Sequence, residues 1–141
     1  MPGSATLFTE QQVLGHTLRF APMTVPAGTF MALCAVAPPP TAAVGGIEVT
    51  GGGYVRLAAV FALATTPPNI AANTATLEFP AATTNWGGLG FFEIWSALSG
   101  GNRLYWGPLV DPVDGITPIT RTVLSGDIVR FSAGLITVQA T

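Results

Sequence analysis

From residue 29 onward, turn-forming residues interrupt the chain at short intervals, and this punctuation limits what it can fold into. PPP stands at 38–40, TTPPNIAAN at 65–73, PAATTNWGG at 80–88, SGGN at 99–102, DPVDG at 111–115 and SG at 125–126. Proline cannot donate to a strand ladder, and glycine admits the positive φ of tight turns. The stretches between them read as strands. FMALCAVA (30–37) is apolar on both alternations, the pattern of a strand buried on two faces. Further strands are expected at 53–63, 75–79, 89–97, 102–110, 120–124, 127–132 and 134–139. Such short strands at this spacing, with one helix, argue for an all-β fold: an antiparallel β-sandwich or jelly roll forming a single domain over 1–141.

The helix is expected near 10–19. Thr9 followed by Gln12 in TEQQ makes a capping box, and Val13, Leu14 and Leu18 share one side of the helical wheel. Pro22 and Pro26 end it, so 1–28 is an N-terminal arm with a short helix and 29–141 holds the strands. In TLEFP the alternation sets Leu77 and Glu78 on opposite faces. In GFFEIWS, Phe91, Glu93 and Trp95 share one face and Phe92 and Ile94 the other, which is cleanly apolar. Leu104 and Trp106 are expected on one face, opposite Arg103 and Tyr105. The best hairpin signal is SGGN, with Gly100, Gly101 and Asn102 as turn residues. No heptads or fixed-period repeats are present.

Composition matters for the surface. Only 9% of the 141 residues are charged, against about 25% in an ordinary soluble domain. Mean hydropathy is +0.53 and the formal net charge is -2. A surface with so few charges lacks the usual protection against self-association, and a dimer or trimer is the simplest remedy. The apolar runs fall short of the roughly 18–20 residues of a membrane helix, so no membrane span is expected. The N-terminus does not read as a secretory signal. The single cysteine, Cys34, has no partner for an internal disulfide, which fits folding in a reducing cytosol. Five scattered arginines and a pI near 5.0 make no basic stripe, so nucleic acid is not an expected partner. Arginine without lysine suits packed interfaces and bidentate pairs; the amino-acid bias of a GC-rich genome explains it equally well.

EVTGGGYVR (48–56) is the stretch most like a motif. A phosphate-binding loop would need lysine and a hydroxyl residue after the last glycine, and the chain contains no lysine. A dinucleotide fingerprint would need a third spaced glycine where Arg56 stands and a helix where YVRLAAVFAL reads as strand. Gly51, Gly52 and Gly53 are therefore expected to be architecture, a tight or bulged entry to a strand. His16 is the only histidine, and Cys34 lies in the most apolar run, where burial makes a thiol inert. Asp111 and Asp114 in DPVDG are ordinary turn chemistry. Glu78 with Glu93 is the one carboxylate pair that could be nominated for glycan hydrolysis. No cofactor or metal is called for. Trp86, Trp95 and Trp106 with Tyr105 cluster in one third of the chain; a sugar platform, core packing and a subunit interface all remain open for them.

Taken in order, VPAGTFMALCAVAPPP, EVTGGGYVR, FPAATTNWG, FFEIWSALSGGNRLYWGPL and SGDIVRFSAGLITV resemble a family of small tailed-phage virion proteins, labelled as tail-fibre or capsid-associated proteins. The combination covers most of the chain after residue 25. Two departures stand out: WSALSGGN lacks an aspartate common before the hairpin turn, and DPVDGITPITR is a longer connection. The resemblance implies a non-enzymatic structural protein of a phage particle, made in the host cytoplasm. A fibre needs length, from repeats or a stalk, whereas one charge-poor β domain suits the capsid exterior. The first expectation is thus a decoration, or cement, protein bridging subunits of the major capsid protein. The second is a tail or fibre module binding a host surface receptor through Trp86, Trp95 or Trp106. Arg56, Trp86, Trp95, Arg103, Tyr105 and Trp106 are the candidate interface residues.

Overall fold

The computed structural model describes residues 2–23, 25–64 and 70–139. It is built almost wholly of strands, with one helix. The elements are β1 (Pro2–Ala5), α1 (Leu7–Leu18), β2 (Phe30–Ala35), β3 (Leu57–Ala58), β4 (Phe61–Leu63), β5 (Ile70–Asn73), β6 (Leu77–Glu78), β7 (Gly87–Trp95), β8 (Arg103–Pro108), β9 (Arg121–Val123), β10 (Arg130–Phe131) and β11 (Thr137–Gln139). The main sheet runs β3-β2-β7-β8-β1-β11-β5-β4, with β9 on β7, and β6 and β10 form a separate ribbon.

The all-β class with one short helix holds, in the form of a curled, mixed sheet. Its two runs of strands meet at β1, which the sequence pattern does not announce as a strand. Ser4 and Ala5 pair antiparallel with β8, while Pro2 and Gly3 pair parallel with β11. One four-residue strand therefore joins two runs of strands, and the β1–β11 pairing is parallel where an antiparallel fold was expected. A second difference is β5, which lies in the expected turn TTPPNIAAN and pairs with both β4 and β11. The first part of that turn, 65–69, lies outside the described residues. The glycine turn delays the strand expected over 53–63 to residue 57, and it is divided into β3, which pairs with β2, and β4, which pairs with β5.

The central hairpin follows the sequence closely. β2 is buried on both faces from Met31 to Cys34, with Met31 and Leu33 in the core and the segment around Gly46 lying against Cys34. Phe92 and Ile94 of β7 enter the core beside Leu89, Leu109, Val129 and Ile136. Burying each such side chain contributes about 1.5–3 kcal/mol. On the ribbon, Leu77 and Phe131 turn inward while Glu78 and Arg130 pair outside.

Helix α1 starts three residues earlier than the capping-box reading. Its N-cap is Thr6, whose hydroxyl accepts the Thr9 backbone N–H at 3.4 Å. The same hydroxyl donates to Arg103 O at 2.6 Å, and Thr9 Oγ1 donates to Leu104 O at 2.7 Å. Threonines thus pin the helix to β8. Its polar side faces the sheet, and Val13, Leu14 and Leu18 face outward.

Candidate functional site

The residues of EVTGGGYVR gather under the β7–β8 hairpin. Gly51, Gly52 and Gly53 all adopt positive φ, at 73°, 61° and 77°. The Gly52 carbonyl accepts two bonds, from Thr83 N and Trp86 Nε1, each at 2.9 Å. A Cβ at Gly52 would lie 2.5 Å from Thr84 Oγ1, so the turn wraps tightly around Trp86. Trp86 meets Tyr54 edge-on at 5.5 Å, and Tyr54 stacks on Phe79 at 6.0 Å.

The turn delivers Tyr54 and Arg56 to Glu48. Tyr54 OH accepts the Leu33 N–H at 3.0 Å and donates to Glu48 Oε2 at 2.9 Å. Arg56 grips the same carboxylate with a fork, Nε to Oε2 at 2.8 Å and Nη2 to Oε1 at 2.9 Å. Its Nη1 reaches Ala97 O and Gly100 O at 2.8 and 2.9 Å, and its guanidinium lies 4.2 Å over the Trp95 ring. The bond to Glu48 raises the Arg56 pKa above its ordinary value, and burial raises that of Tyr54.

Trp95 also touches a second pair. Trp95 Nε1 donates to Glu93 Oε1 at 3.3 Å, and Gly46 N donates to Glu93 Oε2 at 3.0 Å. Arg103 Nη1 stands 3.3 Å from the same oxygen; the contact is an ion pair without hydrogen-bond alignment. Arg103 Nη2 donates to Thr41 O at 2.6 Å. Glu93 is only 1% exposed, so this pairing is what makes its burial tolerable. Cys34 lies beside it, and burial first, then the Glu93 charge, pushes its thiol well above the ordinary value. A thiol kept neutral in this way is inert as a nucleophile.

Among the expected site residues, Arg56, Trp95 and Arg103 come together in this seam, and all three are engaged within the chain. Gly100 and Gly101 turn the hairpin at φ 64° and 78°, and Asn102 closes it, with Ser96 N donating to Asn102 O at 3.0 Å. Trp86 packs on Tyr54. Tyr105 lies against the core and, with Phe61, Leu63, Ala71, Ile94 and Val138, lines an open apolar cleft of about 180 Å³. Trp106 Nε1 is buried without a hydrogen bond.

One alternation expected on β8 is reversed. The register shifts between Ile94 and Trp95, so Tyr105 pairs with Ile94 but Arg103 pairs with Trp95. The bulge adds one residue to β8 and carries Arg103 to the Glu93 and Trp95 face, away from Tyr105. Sequence reasoning missed Glu48 and Tyr54 as members of the seam. Their signal was an acidic residue eight positions before an arginine across a glycine turn.

The remaining chemistry is dispersed. Glu78 pairs with Arg130 on the ribbon, so each carboxylate of the nominated hydrolytic pair is matched by its own arginine. His16 Nδ1 faces Ala21 O at the end of α1. Asp111 and Asp114 hold their own turn: Asp111 accepts from Val113 N, and Asp114 from Ile116 N and Thr117 N. These bonds, the Thr117 hydroxyl first, keep the Asp114 pKa below its ordinary value. Among the described residues, no three His, Cys, Asp or Glu side chains group as metal ligands.

Large apolar side chains reach the surface in many places. Eighteen large hydrophobic side chains are exposed among the described residues, including Leu14, Leu18, Phe20, Val25, Leu63 and Val113. Residues 4–139 match the family described as Podophage GP4 fiber I protein gp80. No curated protein matches the sequence.

Proposed function

The chain belongs to the podophage GP4 fiber I protein gp80 family, and from that premise we propose that it is an assembly subunit of a phage fibre, held by apolar contacts with neighbouring virion proteins. Membership makes it a structural protein of a tailed-phage particle. The observation that carries the finer reading is the exposed apolar surface, eighteen large side chains in a protein with few charges, three of whose arginines are consumed in internal ion pairs. Such a surface adds buried interface wherever subunits meet.

The tryptophans support attachment over sugar recognition. Trp86 spends its N–H on Gly52, Trp95 lies beneath Arg56, and none of the three is an exposed platform. A cement role, bridging major capsid subunits on the head exterior, is the second reading. What favours it is that the described residues contain no stalk: the longest helix has 12 residues and the longest strand 9.

Cryo-EM of the purified particle tests the proposal. Density for this chain within a fibre is the expected result. Regular density at the local symmetry axes of the head would overturn it in favour of the cement reading, and a chain absent from the particle would refute both.

A further inference from the structure

The two ends of the main sheet are neighbouring pieces of one segment. β3 pairs with β2 and β4 with β5, and the two residues between them continue those ladders: Ala59 N donates to Thr29 O, and Val60 O accepts from Thr74 N, each at 2.9 Å. The curl therefore closes on itself, and a closed sheet of short strands encloses an interior that side chains must fill. At the level of Phe92 it is full: a Cβ added to Gly3 of β1 would stand 3.1 Å from the end of that ring. Two residues further along β7, at Ile94, it is not. There Tyr105 of β8, Val138 of β11, Ala71 of β5 and Phe61 and Leu63 of β4 surround the cleft of about 180 Å³. The register agrees, since Tyr105 pairs with Ile94, and Ala71 with both Val138 and Leu63, which sets these side chains on one face of their strands.

We propose that this cleft at the mouth of the closed sheet takes an aromatic side chain of a different virion protein, one uncharged ring inserted as an anchor. No charged residue lines the cleft, and burial raises the Tyr105 phenol above its ordinary pKa and keeps it neutral, so an ionised group entering here would lose its hydration and meet no counter-charge. The volume suits a single ring: an apolar cavity of about 150 Å³ takes benzene, whereas drug-sized ligands occupy about 300–1,000 Å³. Phe61 and Tyr105 offer that ring the edge-to-face and offset contacts that aromatic pairs prefer. A polypeptide fits better than a free molecule because the apolar relief continues outside the cleft. Val60 and Leu63 are 69% and 76% exposed beside it, and a groove formed by residues 26–30 and 58–61 shares Thr29 and Phe61 with it. A segment lying in the groove with its ring in the cleft covers both, the arrangement of a buried anchor within a wider contact. This identification of the partner's chemistry rests on the reading of the chain as an assembly subunit.

Backbone amide NMR shifts of the intact chain, titrated with N-acetyl-phenylalaninamide, test it. The probe is expected to bind saturably with Kd on the order of 1 mM, as burial of one ring allows, and to shift Ala71, Ile94, Tyr105 and Val138. Ala71→Leu fills the cleft, and Leu63→Glu places a charge on its exposed rim, where the fold is not disturbed; each should raise Kd roughly tenfold or more. Val113→Glu, 91% exposed in the turn beyond the other end of β8, should leave Kd as it was. N-acetyl-leucinamide should bind several-fold more weakly. The absence of cleft shifts up to about 50 mM probe would overturn the proposal, as would shifts indifferent to both cleft variants. Equal binding of the leucine probe would remove the aromatic preference and overturn it too. Phenol binding where the capped residue does not would overturn the side-chain source in favour of a free aromatic molecule. Particle density decides the assembly role and this titration decides the cleft, so either can fail alone.

Discussion

Gly52→Ala isolates what the glycine turn does. At φ 61° an alanine pays about 1–2 kcal/mol for the left-handed conformation alone. Its Cβ would also stand 2.5 Å from Thr84 Oγ1 and 2.8 Å from Trp86 Nε1, well inside contact distance. The threonine hydroxyl can rotate, but the indole is held between its bond to Gly52 O and its edge contact with Tyr54. Displacing it forfeits the hydrogen bond, about 1 kcal/mol, and part of an aromatic contact, about 0.5–1.5 kcal/mol. The total is about 3–4 kcal/mol, a large share of the roughly 5–15 kcal/mol that holds a domain folded. Gly51→Ala is the internal control: φ is 73° and nothing lies within 4 Å of the added methyl, so only the backbone cost of about 1–2 kcal/mol applies. Urea unfolding followed by tryptophan fluorescence, with m compared between variants, measures both. The expected gap is about 2 kcal/mol, the difference between those two sums. Equal losses at the two positions would refute the packing argument and leave only backbone conformation.

Three further outcomes follow from the buried seam. Arg103→Met strands the Glu93 carboxylate and should lose about 3–5 kcal/mol, whereas Glu93→Leu combined with Arg103→Met should recover most of it; a single variant within 1 kcal/mol or so of wild type would show that the pair is not coupled. Cys34 should resist a thiol reagent in the native protein and label only at the rate of unfolding, which rapid native-state labelling would contradict. Tyr54 is raised above its ordinary 10.0 in the fold, so its contribution is complete below that pH and is lost progressively as pH rises above it toward the higher folded-state value, because the unfolded chain ionises first. Tyr54→Phe should be less stable at neutral pH, having lost its bonds to Leu33 and Glu48, yet fall less steeply above pH 10.0; parallel alkaline slopes would rule out this linkage.

Much of the strand framework was legible because its signals are local. The two-faced burial of β2, the β7–β8 hairpin at SGGN and the inward turn of Phe92 and Ile94 all follow from apolar spacing and glycine placement. The turn at DPVDG is equally local, since each aspartate bonds backbone two or three residues on. β1 and β5 were not legible. PGSA and IAAN have no strand pattern of their own, and they become strands because β8, β11 and β4 offer them open ladders. The seam was half legible: Arg56, Trp95 and Arg103 stood out by type, while Glu48 and Tyr54 acquired their roles only when the glycine turn laid them beside β2 and β7.

The sequence by itself determined where this chain turns and which short runs are apolar, because glycine, proline and side-chain alternation act on neighbouring residues. Only the tertiary structure decided that one bulge separates Arg103 from Tyr105, that a four-residue N-terminal strand joins two parts of the sheet, and that α1 faces the sheet with threonines and the solvent with leucines. Those choices depend on pairing partners far apart in sequence: Thr6 and Thr9 find the carbonyls of Arg103 and Leu104 nearly a hundred residues away, and that bond turns the apolar side of the helix outward.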